Sequence, residues 1–345
     1  MLRVLVVEDS PTARRLLVTL LGADPTIEVV GEAKDGAEGV SLCKSLRPDL
    51  VTMDIQMPVM DGVEATRQIM IESATPVVMV SSLDPSDVRR SMHALNAGAL
   101  AVLAKPSGPG TPRFERDSRE LISTVKAMAQ VKLVRRWPTT PSRQPPDVPA
   151  VSTRRIAAVG IVASTGGPNA LRSVLGGLAP EFEPPILIVQ HIAAGFATGF
   201  AEWLAATTNR RVVLATDGAK LDPRTTFVAA DDRHLEIAND RLVVTAAPPV
   251  DGFRPSGTRL FRSLAAQLGD RAIGVILTGM GQDGVAGLRE MRAAGAAVFA
   301  QDEASSDIFG MPGAALKAGV VAECTPLADI PAKVMALTAK EPAHG

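Results

Sequence analysis

Short runs of Val, Ile and Leu alternate with amphipathic segments through the first 130 residues. The apolar runs lie at 2–7, 27–31, 49–53, 76–81 and 100–104, and segments of helical periodicity lie at 12–22, 36–46, 61–72, 87–97 and 117–130. Apolar runs of this length that alternate with helices are typical of parallel strands buried on both faces. The pattern therefore predicts five β-α units that share one parallel sheet.

The same alternation returns after residue 155. Apolar strands are predicted at 156–162, 186–190, 212–215, 273–278 and 296–300. A β-hairpin is predicted near 226–245, because Asn239-Asp240 is a dipeptide typical of tight turns. The second half of the chain is therefore expected to form another doubly wound, mostly parallel α/β sheet with one hairpin.

Residues 131–155 separate the two patterns. Prolines 138, 141, 145, 146 and 149 lie there among Ser, Thr and Gln, after a short basic run. A polar, proline-rich stretch has too few apolar side chains to build a core. We therefore predict a first domain at 1–130, a linker at 131–155 and a second domain at 156–340.

Composition narrows the classes of function. The 345 residues suffice for two cores of ordinary size, and the formal net charge of -1 with scattered basic residues predicts no nucleic-acid partner. Cys43 and Cys324 are the only cysteines, as expected of a reducing compartment. The chain opens directly on an apolar strand and has no apolar stretch of bilayer length. These features favour a cytoplasmic protein that does not insert into the membrane.

Polar side chains follow the strands of the first predicted sheet. Glu8 and Asp9 follow the first strand, Asp54 the third, Ser81 ends the fourth and Lys105 follows the fifth. The carboxyl ends of parallel strands meet at one edge, where open sheets bind ligands. Crowded carboxylates favour a hard divalent cation with oxygen ligands, most plausibly Mg²⁺.

Such a site has the chemistry of a phosphoryl acceptor. Asp54 would attack phosphorus, Mg²⁺ and Lys105 would neutralise the phosphoryl oxygens, and the Ser81 hydroxyl would sense the new charge. The alternative is that each acidic residue only caps a helix or a turn. That alternative explains any single residue well, but it explains the whole set poorly.

These stretches resemble the receiver domain of response regulators. The matching segments are Glu8-Asp9, Met53 through Pro58 leading into Met60-Asp61-Gly62, Ser81-Ser82 and Lys105-Pro106, within residues 2–127. The resemblance implies a flavodoxin-like fold with phosphorylation at Asp54 and switch residues Ser81 and Lys105. The metal ligands it implies are Glu8, Asp9, Asp54 and the backbone carbonyl of Gln56.

The chain departs from the receiver pattern at one position. Val102 lies three residues before Lys105, where receivers often carry an aromatic switch residue, and the chain contains no Tyr. Switching by rotation of an aromatic ring is therefore not expected.

In the second half, strand 156–162 runs into Ser164-Thr165-Gly166-Gly167-Pro168 at the start of a helix. In one interpretation, the backbone amides of this loop bind a phosphate or nucleotide. In the other, Ser164 is a nucleophile, and the same amides stabilise the oxyanion of a tetrahedral intermediate. The second interpretation requires a general base and an acid that orients it.

Two histidines are candidates for the base. His191 follows the apolar strand 186–190, which places it beside Ser164 if the two strands are neighbours. His234 follows Asp231-Asp232-Arg233 and is more readily explained as a hydrogen-bonded polar residue. Asp283 lies in the glycine-rich turn after strand 273–278 and could either orient His191 or cap the helix predicted at 284–294.

The second half resembles the catalytic domain of the protein-glutamate methylesterases, which demethylate chemotaxis receptors. The resemblance spans residues 156–335 and rests on the segments Ser164 to Pro168, Val189-Gln190-His191, Arg233-His234-Leu235, Arg254-Pro255-Ser256, Leu277 to Gly284 and Ala300 to Ser305. It departs from the family at Ile192-Ala193 and at Asp251-Gly252-Phe253. These departures would bear on which receptor is recognised more than on the reaction that is catalysed.

The second resemblance implies a complete function. Ser164 would be the nucleophile, His191 the base and Asp283 the orienting acid, with Thr165 and the Met280 amide as oxyanion donors. The enzyme would release methanol from glutamate γ-methyl esters and need no cofactor for that step. Its partners would be methyl-accepting chemoreceptors as substrate and a histidine kinase of a chemosensory pathway as phosphodonor.

Two other classes of function stay open at this point. A binding protein regulated by phosphorylation would use the Ser164 loop for a phosphate, without catalysis. A receiver coupled to DNA is disfavoured, because no helix-turn-helix pattern and no basic face are present.

Overall fold

The computed structural model describes residues 1–82, 84–131 and 155–338. The chain divides into two compact units, one around each predicted sheet. Most of the predicted linker at 131–155 lies outside the described residues, so the predicted domain limits stay predictions.

The first unit alternates strands and helices throughout. Its elements are β1 (Leu2–Val7), α1 (Pro11–Gly22), β2 (Ile27–Ala33), α2 (Gly36–Leu46), β3 (Leu50–Met53), α3 (Gly62–Glu72), β4 (Val77–Ser81), α4 (Pro85–Ala97), β5 (Ala101–Ala104) and α5 (Phe114–Met128). The strands pair in parallel in the order β2-β1-β3-β4-β5. The predicted five-stranded parallel sheet is confirmed.

Some acidic residues at the carboxyl edge of this sheet cap helices, and others do not. Asp35 caps α2 by accepting a hydrogen bond from the Glu38 amide at 2.9 Å, and Asp61 caps α3 through the Glu64 amide at 2.8 Å. Glu8 and Asp54 directly follow β1 and β3, the two strands between which the strand order reverses. Such reversal points are where open parallel sheets hold their ligands.

The second unit has more strands and a separate hairpin. Its elements are β6 (Ala158–Ala163), α6 (Gly167–Gly177), β7 (Ile186–Gln190), α7 (Ala197–Thr208), β8 (Arg211–Leu214), β9 (Thr225–Val228), β10 (His234–Ala238), β11 (Arg241–Thr245), α8 (Gly257–Leu268), β12 (Ala272–Ile276), α9 (Val285–Ala293), β13 (Ala297–Ala300), α10 (Met311–Lys317) and α11 (Ile330–Ala336). Six strands form a parallel sheet in the order β13-β12-β6-β7-β9-β8. The predicted parallel α/β architecture with a hairpin is confirmed.

The hairpin is shorter than predicted. Strands β10 and β11 pair from His234 with Thr245 to Ala238 with Arg241, and Asn239 and Asp240 form the turn with φ angles of 51° and 58°. The beginning of the predicted range, 226–245, belongs instead to β9, which lies between β7 and β8 in the large sheet. All four residues of β9 are buried, as in a central parallel strand and unlike a hairpin with one wet face.

Helix α8 joins the hairpin to the sheet. Leu260, Phe261 and Leu264 on this helix are fully buried, in one core with Leu235 of β10. A side chain cannot be added at Gly287 of α9, because its Cβ would lie 2.4 Å from the Thr258 carbonyl oxygen in the first turn of α8. The position of α8 therefore depends on a close backbone contact with α9.

Among the residues that the structure describes, no helix combines the length and the apolar composition needed to cross a bilayer.

We expect Gly287→Ala to lower the free energy of unfolding by about 1–3 kcal/mol, because the new methyl group would push α8 away from α9. The matched control is Gly176→Ala in α6, where a Cβ would meet nothing within 4 Å. Both glycines lie in helices, so both variants gain up to about 1 kcal/mol of helix propensity. Urea unfolding followed by circular dichroism would measure the difference, and equal midpoints for the two variants would contradict this packing argument.

Candidate functional sites

Ser164 lies directly after β6, where the chain turns into α6. Its amide donates to the Thr278 carbonyl at 3.0 Å, and its carbonyl accepts from the Gly167 amide at 2.8 Å. Gly166 makes the turn with a φ of 77°, in the left-handed region that favours glycine. The side chain of Ser164 is half-buried at the carboxyl edge of the sheet.

His191 and Asp283 meet at the same edge. His191 follows β7, which pairs directly with β6, and Asp283 lies in the turn after β12, the other neighbour of β6. Strands β6 and β7 are neighbours, which the predicted proximity of His191 to Ser164 required. The His191 Nε2 and Asp283 Oδ2 atoms are 3.0 Å apart.

The Asp283 carboxylate is almost completely buried, with 2% of its surface exposed. Besides His191, it accepts hydrogen bonds from the Ser256 hydroxyl at 2.8 Å and from the Gly257 and Thr258 amides at 2.6 and 3.1 Å. Burial by itself would raise the pKa of Asp283, but the hydrogen bond and the charge of His191, and next the hydrogen bonds from Gly257 and Ser256, lower the pKa to about 2. Asp283 is therefore ionised at neutral pH.

The predicted capping role of Asp283 concerns a different helix. The amides of Gly257 and Thr258 belong to the first turn of α8, so Asp283 caps α8 across the site. Helix α9, which follows Asp283 in sequence, begins after Gly284 without a side-chain cap. One carboxylate thus binds the His191 ring and the N-terminus of a helix, where the helix dipole favours negative charge.

The second ring nitrogen of His191 remains available for chemistry. Its Nδ1 atom is buried and has no hydrogen-bond partner among the described residues. The Phe253 ring stacks on the imidazole with a centroid distance of 4.4 Å and an interplanar angle of 17°. The ring is therefore held on one side by Asp283 and on one face by Phe253, with Nδ1 left to accept a proton.

Gln190 links the serine to the histidine. Its side-chain Nε2 donates to the carbonyl of Ser164 and to the carbonyl of His191, both at 2.8 Å. Gln190 is 4% exposed, so water cannot replace these hydrogen bonds easily. The backbones of the two residues are thereby fixed relative to each other.

The residues predicted as oxyanion donors lie in the turns after β6 and β12. The carbonyl of Thr165 accepts a hydrogen bond from the Thr278 hydroxyl at 3.0 Å, which fixes this turn. Met280 follows Gly279, and a Cβ at Gly279 would lie 2.5 Å from the Ser164 Cβ. Thr165 and Gly279 thus lie beside the serine, and the role of Thr165 and of the Met280 amide as donors stays a proposal.

His234 is not part of this arrangement of Ser164, His191 and Asp283. It is completely buried, its Nε2 lies 3.1 Å from the Pro248 carbonyl oxygen, and its Nδ1 accepts from the Ser256 amide at 3.2 Å. Both ring nitrogens are occupied by backbone groups. This geometry favours His191 as the base, in agreement with the sequence argument.

The first unit brings its acidic residues together as predicted. Carboxylate oxygens of Glu8, Asp9 and Asp54 lie within 4.8 Å of one another. Lys105 Nζ lies 2.9 Å from Glu8 Oε2 and 3.0 Å from Asp54 Oδ2. Three carboxylates and one ammonium leave the cluster with an excess of negative charge, which a cation would offset.

The burial and crowding of Glu8 and Asp54 also change their pKa values. Burial, and next the charge of Asp54, raise the pKa of Glu8 to about 7. Burial also raises the pKa of Asp54, against the opposing effect of Lys105. Hard oxygen donors that repel one another in this way fit a divalent metal ion, so the cluster could hold one.

The other residues predicted for this site lie at the end of β4, in β5 and just after Asp54 in the chain. Ser81 is buried at the end of β4, and its carbonyl accepts a hydrogen bond from the Lys105 amide at 2.8 Å. Gln56 is exposed, two residues beyond Asp54. Val102 is buried in β5 with 8% of its surface exposed, so a small aliphatic side chain occupies the position of the usual aromatic switch.

The sequence did not indicate three residues that lie around Ser164, His191 and Asp283. Gln190 and Ser256 lie within the segments of the methylesterase resemblance, and this was the available signal for them. Phe253 lies in a segment that departs from the family, and no pattern in the sequence indicated that it stacks on His191.

Comparison with known proteins identifies the family of each unit. The sequence profile of the CheB methylesterase family matches residues 159–334, and that of the response regulator receiver domain matches residues 4–111. A relative from Anaeromyxobacter dehalogenans (strain 2CP-C), named protein-glutamate methylesterase/protein-glutamine glutaminase 3, is 54% identical over 327 residues, which is 93% of this chain and 94% of the relative. A relative from Myxococcus xanthus (strain DK1622), with the same name and the number 4, is 54% identical over 338 residues, 96% of both chains.

A solved structure is similar to the second unit. The crystal structure of the Thermotoga maritima CheB methylesterase catalytic domain matches with a TM-score of 0.51 and 31% identity, over 52% of this chain and 98% of that one. Both resemblances drawn from the sequence are confirmed. The chain belongs to the CheB methylesterase family and carries a response regulator receiver domain before its catalytic domain.

Proposed function

We propose that this protein is a phosphorylation-activated hydrolase that removes methyl groups from glutamate γ-methyl esters of methyl-accepting chemoreceptors. The observation that carries the proposal is the arrangement of Ser164, His191 and Asp283 on three adjacent strands, with His191 bonded to a buried, ionised carboxylate. A serine, a histidine and an acid in such a geometry carry out acyl transfer in unrelated folds. The names of the relatives support the choice of substrate.

The proposed reaction has two stages, acylation of Ser164 and hydrolysis of the acyl-enzyme. Ser164 Oγ attacks the γ-carbonyl carbon while His191 Nδ1 takes the hydroxyl proton, and amides beside Ser164 stabilise the oxyanion. The bond to the methoxy group then breaks, and methanol leaves with the proton from His191. Water attacks the acyl-enzyme ester with His191 again as the base, which frees Ser164 and leaves a glutamate carboxylate.

The same steps act on an amide. If the substrate is a receptor glutamine, the leaving group is ammonia, and the product is again a glutamate. The names of the relatives include protein-glutamine glutaminase, which supports this second activity.

Phosphorylation of the receiver domain would control the rate of hydrolysis. A histidine kinase of a chemosensory pathway would donate a phosphoryl group to Asp54, and Lys105 and the Ser81 hydroxyl would contact its oxygens. Glu8, Asp9, Asp54 and the backbone carbonyl of Gln56 would hold Mg²⁺, whose charge offsets that of the phosphoryl group. A cytoplasmic location stays a prediction.

The central test is methanol release from methylated receptor membranes. We expect Ser164→Ala to lower the rate constant by at least about 10⁴-fold, because the nucleophile is lost. Ser173→Ala, on an exposed position of α6, is the matched control and should retain the wild-type rate. Methanol release by Ser164→Ala at the wild-type rate would contradict the proposal and favour a binding role for the glycine turn.

Asp283→Asn tests the orienting acid. We expect it to lower the rate of methanol release by about 10⁴-fold, because an amide neither stabilises the His191 cation nor keeps its ring in the required tautomer. Asp222→Asn, at an exposed position of the same domain, should change the rate little. A loss of less than tenfold in Asp283→Asn would show that the carboxylate only caps α8.

Asp54→Asn tests the regulatory half. A small-molecule phosphodonor should raise methanol release by the wild type but not by Asp54→Asn, because an amide cannot attack phosphorus. Asp61→Asn is the control, since asparagine caps a helix about as well as aspartate. A phosphodonor response that survives in Asp54→Asn would place the phosphoacceptor elsewhere.

A further inference from the structure

The second histidine of the catalytic domain is joined to the active site by a short series of hydrogen bonds. His234 Nδ1 accepts from the Ser256 amide at 3.2 Å, and the Ser256 hydroxyl donates to Asp283 at 2.8 Å. Asp283 in turn binds His191 at 3.0 Å. His234, Ser256 and Asp283 are each at most 2% exposed, so no water competes for these bonds.

The backbone groups around His234 decide its tautomer. The Ser256 amide is always a donor, so Nδ1 of His234 must be an acceptor without a proton. The Pro248 carbonyl is always an acceptor, so Nε2, at 3.1 Å, must carry the proton. The only state that satisfies both partners is the neutral imidazole with hydrogen on Nε2.

The surroundings of His234 disfavour its charged form. Burial lowers the pKa of His234, and Arg259 and Arg254 act in the same direction, against the Pro248 carbonyl and Glu236. Arg259 is itself paired with Glu236 at 2.8 Å, which moderates the effect of both charges. The ring therefore stays neutral, as its hydrogen bonds require.

A proton on Nδ1 would turn this contact into a clash. Two N–H groups would then face each other between His234 and Ser256, and the amide of Ser256 would lose its acceptor. Ser256 precedes α8, whose first amides bind Asp283. Movement of Ser256 would therefore move the carboxylate that orients His191.

We propose that His234 is a positioning residue, which acts as a neutral Nε2–H imidazole and holds the Ser256 amide so that Asp283 stays aligned with His191. It does not touch the reacting atoms. The inference rests on the proposed function, because it assigns His234 a role in the same hydrolytic site.

Two variants separate the acceptor from the volume of the side chain. His234→Asn keeps an oxygen where Nδ1 lies and should accept from Ser256, whereas His234→Leu fills the space without an acceptor. We expect His234→Leu to lower kcat for methanol release by about 10- to 100-fold with KM within about twofold, as for a small displacement of a catalytic group. His234→Asn should restore kcat to within about fivefold of the wild type. His93→Asn, at an exposed position of the receiver domain, is the control.

Nitrogen-15 NMR of the histidine rings provides a readout that does not depend on turnover. In the wild type, His234 should have protonated Nε2 and unprotonated Nδ1 at the pH of the assay. The ring shifts of His191 should change in His234→Leu and stay near wild-type values in His234→Asn. If His234→Leu does not fold, the wild-type tautomer and the kcat of His234→Asn still decide the question.

Several results would overturn the inference. A charged His234, a proton on its Nδ1, or equal losses of kcat in the two variants would show that the ring only fills space. Wild-type kcat in both variants would do the same. A wild-type protein without methanol release would contradict the proposed function instead, and the His191 ring shifts in the two variants would still test the positioning role.

Discussion

A single buried negative charge organises the catalytic domain. An ionised carboxylate in an apolar interior costs several kcal/mol unless hydrogen-bond donors surround it. Asp283 has four donors, namely the His191 ring, the Ser256 hydroxyl and the first two amides of α8. These donors come from the residue after β7, from the loop before α8 and from α8 itself, so the packing of α8 on the sheet and the relative positions of His191 and Asp283 depend on each other.

The rest of the site follows from this requirement. Helix α8 lies against β10 of the hairpin and approaches α9 at Gly287, which fixes the amides that face Asp283. Gln190 donates to the carbonyls of Ser164 and His191, so these two residues are fixed together at the same edge of the sheet. Close packing of Gly279 against Ser164 completes the cluster. Each of these contacts limits where Ser164, His191 and Asp283 can lie.

The sequence predicted what depends on local pattern and strand order. Apolar runs predicted the strands. Ser164, His191 and Asp54 were predicted as site residues because each lies just after such a run. What it could not predict depends on contacts between distant segments: β9 was too short to distinguish from a hairpin arm, Asp283 caps a helix that precedes it in the chain, and Phe253 stacks on His191 across 62 positions, from 191 to 253. These outcomes depend on packing, which periodicity does not describe.

The two roles of Asp283, as hydrogen-bond partner of His191 and as cap of α8, have an evolutionary consequence. The carboxylate that binds His191 also caps α8, so its loss would damage folding as well as the proposed catalysis. A descendant of this protein that no longer needed the hydrolytic reaction could lose Ser164 at little cost to folding, whereas Asp283 would remain under selection. An intact aspartate at this position is therefore a poor indicator of activity among divergent relatives, and the serine is the residue to inspect.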